Sequence, residues 1–191
     1  MIPYTLDRRP DTGVTNVTMG IWLFLASEVM LFGALFSSYA LLRVSALSWP
    51  HGRDILSVNS GLDNTVVLIA ASLLFWRTRV TTGRKRLWRI AQSSLLLIIF
   101  LVLKGREYQD EFARGFLPET STFMATYFVL TGLHAIHVAG GLVANAWLAL
   151  GMRWDRSEGE AITTGRAHAL SLYWGFVDIV WFVIVGLVYL S

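Results

Sequence analysis

The sequence predicts an all-α integral membrane protein, a bundle of five transmembrane helices. Three observations carry that prediction. Hydrophobic residues make up 54% of the 191, above the roughly 45–50% of soluble domains, and the mean hydropathy is +0.54. The apolar residues gather into five runs, each near the ~20 residues that cross a hydrocarbon core. The basic residues, in contrast, crowd into the short links between the runs. Helices satisfy every backbone amide within the segment, as lipid demands, and alternating ten-residue strands are not seen.

The first span covers about residues 17–42 and is interrupted by one charge, Glu28. A polar link follows, with Pro50, Gly52, Arg53 and Asp54 as turn and breaker signals. The second span, about residues 59–76, opens on a polar turn with Asp63 and Asn64 and stops at Arg77 and Arg79. Gly83, Arg84, Lys85, Arg86 and Arg89 mark the next link and the third span's start. That third span covers about residues 87–103, and an amphipathic, charged link is expected over residues 104–118. The fourth and fifth spans cover about residues 121–150 and 164–190. No linker is long enough to separate a pair of folded units, so residues 1–191 read as a single domain. The N-terminal stretch lacks a signal peptide's apolar core, which leaves the first span as its own targeting signal.

Five spans put the two termini on opposite sides. The side that holds the N-terminus and the second and fourth links carries eleven Lys and Arg, including Arg8, Arg9 and Arg156, against five on the other. The positive-inside rule then places the N-terminus in the cytoplasm and the C-terminus outside. This placement of charge is topological and excludes a nucleic-acid-binding face. The absence of cysteine excludes disulfides, thiolate zinc sites, iron–sulfur clusters and thiol-linked haem.

A charged carboxylate at the bilayer centre costs at least about 2.5–3.5 kcal/mol on insertion scales, so an embedded one points to function. Glu28 lies among Phe24, Leu25, Leu31 and Phe32 on its helix face. It serves there as glue between helices, as a proton-handling group or as a headgroup contact. Asp178, near the middle of the fifth span, is expected to make a structural hydrogen bond, with Tyr173, Trp174 and Trp181 as nearby donors. His134 and His137, three apart, fall on one helix face beside the small residues Gly132, Ala135, Ala139, Gly140 and Gly141. They read as embedded packing groups or, with Glu28, as a metal site. Arg106 and Glu107 are expected at a solvated interface, paired with each other or touching headgroups. The run Arg84-Lys85-Arg86 is read as a topology determinant that also attracts anionic lipid. No nucleophile–base pair and no phosphate loop is present, so no catalytic residue is assigned.

These same residues carry a resemblance. The stretch Trp22-Leu23-Phe24-Leu25-Ala26-Ser27-Glu28-Val29-Met30-Leu31-Phe32 resembles the buried-glutamate helix of cytochrome c oxidase subunit III. Gly105-Arg106-Glu107-Tyr108 is similar to that family's Glu-Tyr motif. Thr131-Gly132-Leu133-His134-Ala135-Ile136-His137-Val138-Ala139-Gly140-Gly141 resembles its Gly-x-His-x-x-His-Val-x-x-Gly segment. Tyr173-Trp174-Gly175-Phe176-Val177-Asp178-Ile179-Val180-Trp181 resembles its Tyr-Trp-His-Phe-Val-Asp-Val-Val-Trp segment, with Gly175 in place of the usual histidine. The four motifs occur in family order across nearly the whole chain, in the five-helix form found in bacteria.

The resemblance implies a non-redox subunit of a haem–copper terminal oxidase in the bacterial plasma membrane, within aerobic electron transport and proton pumping. It implies packing on subunit I within a complex that includes subunit II. Phospholipid would be held in a cleft, and the chain would support proton uptake. Haem and copper would lie in partner subunits, with no cofactor in this chain. It makes Glu28 the buried carboxyl of the family and His134, His137 and Asp178 its embedded polar positions; from their own placement, Arg106, Glu107 and Trp174 are expected to be interfacial or lipid contacts. Two other readings compete. One is the accessory subunit of a quinol oxidase or nitric oxide reductase. The other, from a different class, is a small proton-coupled transporter, against which stands the lack of repeats and broken helices.

Overall fold

The computed structural model describes residues 7–154 and 159–191; Arg156 and the first residues of the polar N-terminal stretch lie outside them. Among the described residues the chain is helical, with no strand. Helix α1 spans Asn16–Ser45, opened by the Thr15 side chain, which accepts from the Thr18 amide. A single turn, α2 (Gly52–Ile55), lies in the first link. Helix α3 (Val58–Trp76) starts at Ser57, whose hydroxyl accepts from the Ser60 amide, and tightens into a 3₁₀ turn at Arg77–Val80. Then follow α4 (Gly83–Ala113), α5 (Thr122–Trp154) and α6 (Glu160–Ile184), the last ending in a wide π turn, Val185–Tyr189. Five of these helices are long and apolar enough to cross a membrane.

The expected bounds hold to within a few residues except at α4. It begins four residues before Leu87 and runs ten past Leu103, where a charged link was expected. The reason lies in its buried stripe: Arg86, Ile90, Ser93, Leu97, Phe100, Lys104, Glu107 and Glu111. The steps alternate four and three, the seam of a helix packed along its whole length. The polar residues at both ends occupy inward positions, so the helix continues through them. It stops at Gly115, whose φ of 81° suits glycine. The Phe116 amide donates to the Glu111 carbonyl and the Gly115 amide to the Phe112 carbonyl, a Schellman ending.

Helices α3, α4, α5 and α6 pack around a core that includes Leu68, Phe75, Leu97, Phe100, Tyr127, Val138, Val177 and Ile184. Helix α1 leans on α6 and touches α5. Most of its surface stays exposed, with Trp22, Leu23, Val29, Met30 and Leu41 all facing outward. Apolar side chains so displayed are at home in lipid or against another membrane protein.

The two ends of the bundle are tied by buried polar groups. At one end the wholly buried Arg86 donates through Nε to the Thr78 and Thr81 carbonyls (3.0 and 2.6 Å) and through Nη2 to Thr164 (2.8 Å). Its Nη1 lies 2.8 Å from the Glu160 carboxylate. Arg86 therefore joins the α3–α4 turn to the start of α6, a structural role beyond the topological one expected of its charge. At the other end Gly52 lies against the final turn. Its amide donates to the Ser191 carbonyl at 3.0 Å, and a Cβ there would sit 1.7 Å from the Val188 carbonyl oxygen. The Tyr39 hydroxyl donates to the Leu187 carbonyl at 2.5 Å, occupying an acceptor in the wide turn.

Candidate functional site

Glu28 faces α5, and its Oε2 lies 2.7 Å from His137 Nε2. The other ring nitrogen, Nδ1, lies 2.8 Å from the Leu133 carbonyl. A carbonyl can only accept, so Nδ1 carries a hydrogen. Nε2 then either accepts from a protonated Glu28 or donates, as imidazolium, to its carboxylate. Both states keep the same contacts, and they differ only in which partner holds one proton. The two side chains are each 13% exposed. The Phe32 ring stands edge-on to His137 at 5.0 Å, and Tyr173 donates to the His137 carbonyl at 2.7 Å. Glu28 is thus bonded across helices, to a single partner on α5.

His134 does not join this pair. It is buried between Trp181 and Phe100, with ring centroids at 5.0 and 5.8 Å. Neither of its ring nitrogens has a hydrogen-bond partner among the described residues. The shared helix face inferred from spacing is therefore split. His137 turns to α1 and His134 to α4 and α6, so Glu28 is not held by both. Among the described residues no three His, Asp or Glu side chains converge.

Asp178 accepts from the Ser72 hydroxyl on α3 at 2.9 Å. The donors expected from its own helix are engaged elsewhere: Tyr173 with the His137 carbonyl, Trp174 with Asn145 Oδ1 at 3.1 Å and Trp181 with Thr65 Oγ1 at 2.9 Å. Side chains of one helix radiate outward, so their partners lie on neighbouring helices. Asp178 lines a cleft of about 470 Å³ between α1, α3 and α6, walled by Trp22, Val29, Trp76 and Ile179. Gly175 opens onto the same cleft, and a Cβ there would meet nothing within 4 Å. Trp174 is 1% exposed and also lines this cleft, and its ring closes on Gly141 of α5.

Glu107 is likewise buried and not at a solvated interface. Its cation is not Arg106, which is exposed, but Lys104, one turn back on the same helix, at 3.0 Å. Tyr127 and Tyr189 donate to the same Glu107 oxygen at 2.7 and 2.5 Å, and Asn64 Nδ2 lies 3.4 Å from the other. Lys104 also donates to the hydroxyls of Tyr127 and Tyr189. Its ammonium sits over the rings of Tyr127 (4.7 Å), Tyr189 (5.1 Å) and Tyr108 (5.2 Å). All three ammonium hydrogens are engaged in an aromatic box that suits a cation. Lys104, Tyr127 and Tyr189 had no place among the site residues read from sequence. The signal was available: Lys104 and Glu107 continue the buried seam of α4 at i, i+3.

The chain matches the cytochrome c oxidase subunit III family over residues 11–191. It is 31% identical over 191 residues to the cytochrome bo(3) ubiquinol oxidase subunit 3 of Pseudomonas aeruginosa, covering 96% of this chain and 88% of that one. It is 31% identical over 184 residues to the cytochrome c oxidase subunit 3 of Bacillus subtilis, covering 92% and 86%. It is 33% identical over 187 residues to the heme-copper oxidase subunit I+III of Aeropyrum pernix, covering 92% of this chain and 23% of that longer one.

Proposed function

This chain belongs to the cytochrome c oxidase subunit III family, and we propose that it serves as the non-redox third subunit of a haem–copper terminal oxidase in a bacterial plasma membrane. In this role it packs on subunit I, holds phospholipid in the cleft beside Asp178, and supports proton uptake through Glu28. The N-terminus faces the cytoplasm, following the surplus of Lys and Arg on that side. The observation that carries the reading is the Glu28–His137 pair, a one-proton device on the helix least covered by its own bundle. The heme-copper oxidase subunit I+III of Aeropyrum pernix supports subunit I as the partner. The relatives' names include both a cytochrome c oxidase and a ubiquinol oxidase, so either donor is compatible.

The haem and copper of such an oxidase do not fit this chain's own histidines. His137 has both nitrogens engaged, by Glu28 and by the Leu133 carbonyl. His134 is walled in by Phe100 and Trp181. The redox groups are assigned to the partner subunits, and no step is routed through this chain's imidazoles. A relay through Glu28, Asp178 and both histidines, the basis of the transporter reading, is not supported by the bonding. Asp178 is held by α3 and Glu28 by α5.

The test is purification of the chain in a gentle detergent, read by haem absorption and by mass spectrometry of its partners. Haem and a large multi-span partner in near equimolar amount are the expected result. A colourless chain, alone or self-associated, overturns the proposal.

A further inference from the structure

The end of the bundle that carries most of the basic residues contains a groove that the oxidase role does not account for. It lies between the start of α4 and the end of α5 and has a volume of about 1080 Å³. That is slightly above the usual range of ligand clefts, about 300–1,000 Å³. Its lining divides into two zones. Arg84, Lys85, Arg89 and Arg153 form a basic rim, and no acidic residue stands among the described lining residues. Leu87, Ala91, Ala149 and Leu150 form an apolar wall that leads along the helices into the hydrocarbon zone. Trp88, 66% exposed, stands at the boundary between them, the usual depth of an interfacial tryptophan.

The disposition of the basic residues is specific. Arg86, in the middle of the run, is turned inward and held by Glu160 and Thr164. Arg84, Lys85, Arg89 and Arg153 make no ion pair among the described residues, so four cations around one concave surface lack counter-charges there. Lys85, Trp88, Arg89 and Gln92 follow at helical spacing on α4, with Arg153 facing them from α5. A soluble anion would use the rim and leave the apolar wall bare. A neutral lipid would use the wall and leave the cations unmatched. A negatively charged headgroup on acyl chains matches both zones, and basic pockets between transmembrane helices on the cytoplasmic side bind such lipids.

We propose that this groove binds one anionic phospholipid, its phosphate on Lys85, Arg89 and Arg153 and its acyl chains along the α4–α5 seam. The site is distinct from the cleft at Asp178, which lies between α1, α3 and α6. The inference rests on the membrane-spanning bundle and not on the oxidase assignment.

The experiment is native mass spectrometry of the chain in its purified assembly, titrated with phosphatidylglycerol and, separately, with phosphatidylcholine. Wild type is expected to retain one phosphatidylglycerol in preference to phosphatidylcholine. The double variant Arg89→Gln, Arg153→Gln is expected to lose roughly 25-fold in phosphatidylglycerol affinity, about fivefold per charge removed near a membrane surface. Phosphatidylcholine binding should not change. Arg43→Gln, at the opposite end of the bundle, should leave both unchanged. If the double variant fails to assemble, the salt dependence of the wild type decides, since raising salt should weaken phosphatidylglycerol binding alone. Three results overturn the proposal: equal retention of the two lipids, displacement of phosphatidylglycerol by equimolar inorganic phosphate, or cross-links showing the groove filled by another subunit. Each can be read whether or not the assembly contains haem, so its failure is separable from failure of the oxidase reading.

Discussion

Replacing Lys104 with Met tests the ionic knot at the end of the bundle. The thioether side chain is close in length to lysine's and keeps the packing against Tyr127, Tyr189 and Trp181, so the main loss is charge. What remains is Glu107, 6% exposed, with hydrogen bonds from two tyrosines but no cation. Removing one partner of a buried pair costs about 3–5 kcal/mol, because the other charge is left uncompensated. The two tyrosine donors offset some of this, and a loss of about 2–4 kcal/mol is expected. Glu107→Leu strands Lys104 in its ring of three tyrosines and should cost a similar amount. Removing both charges together leaves tyrosine hydroxyls short of partners but no orphan ion. The double variant should therefore recover at least half of the summed losses, with a coupling energy at or above ~2 kcal/mol. The assay is thermal or denaturant unfolding of the purified assembly for the four members of the cycle. A Lys104→Met protein within about 0.5 kcal/mol of wild type, the range of ordinary surface substitutions, would refute the claim that this pair is buried and coupled.

Three further outcomes follow from the same geometry. In Glu28→Gln the amide can still donate to His137 Nε2 while Nδ1 donates to Leu133, so assembly should be intact and proton-linked turnover several-fold slower. Glu28→Ala should in addition cost about 1–3 kcal/mol through the unpartnered imidazole, and unchanged turnover and lifetime of that complex would sink both roles of Glu28. Gly141→Ala brings a methyl to 2.5 Å from the Trp174 ring, which Asn145 holds in place, and should cost about 1–3 kcal/mol. The neighbouring Gly140→Ala meets nothing within 4 Å and should be neutral or slightly stabilising, so equal melting temperatures for the two variants would contradict the packing. Gly175→His should fold with little change in stability, since the cleft has room for a Cβ. The imidazole would enter the space beside Asp178, and lipid analysis of the purified assembly should show reduced phospholipid there.

The spans were legible because membrane insertion is decided by local composition, and the runs centred near Glu28, Leu68, Leu97, His134 and Val177 are apolar enough to be read one at a time. The embedded Glu28, His137 and Asp178 stood out for the same reason, as isolated polar letters in those runs. Their partners did not. That Glu28 meets His137, and Asp178 meets Ser72, depends on the rotation of each helix against its neighbours, which no single helix encodes. The more instructive miss is α4. Lys104, Glu107 and Glu111 looked like the end of a span because charge was weighed by identity alone. Weighed by position, they continue the four–three seam that begins at Arg86, and the chain turns only at Gly115.

That seam also separates the roles of the buried charges. Arg86 and Lys104 are eighteen residues apart on one face of α4, or about 27 Å at 1.5 Å per residue, close to the ~30 Å of a hydrocarbon core. The two ionic clusters therefore stand near opposite borders of the membrane, where water and headgroups reduce the cost of a charge. Each is over-determined: Arg86 binds the turn and link that follow α3 and the start of α6, and Glu107 receives donors from α3, α4, α5 and the last turn. A group with that many fixed partners ties several helices together at once. Glu28 is the opposite case. It lies between the borders and has one cross-helix partner, and the proton can sit on either side of that contact without breaking it. Its helix is the least covered of the five spans, with 11% of its most apolar stretch buried, which leaves the rest to lipid or another membrane protein. If a buried carboxyl of this chain answers to the oxidase's proton traffic, the geometry selects Glu28 and leaves Glu107 as a structural fixture. Turnover should then fall in Glu28 variants that remain fully assembled, whereas Glu107 variants should lose assembly first.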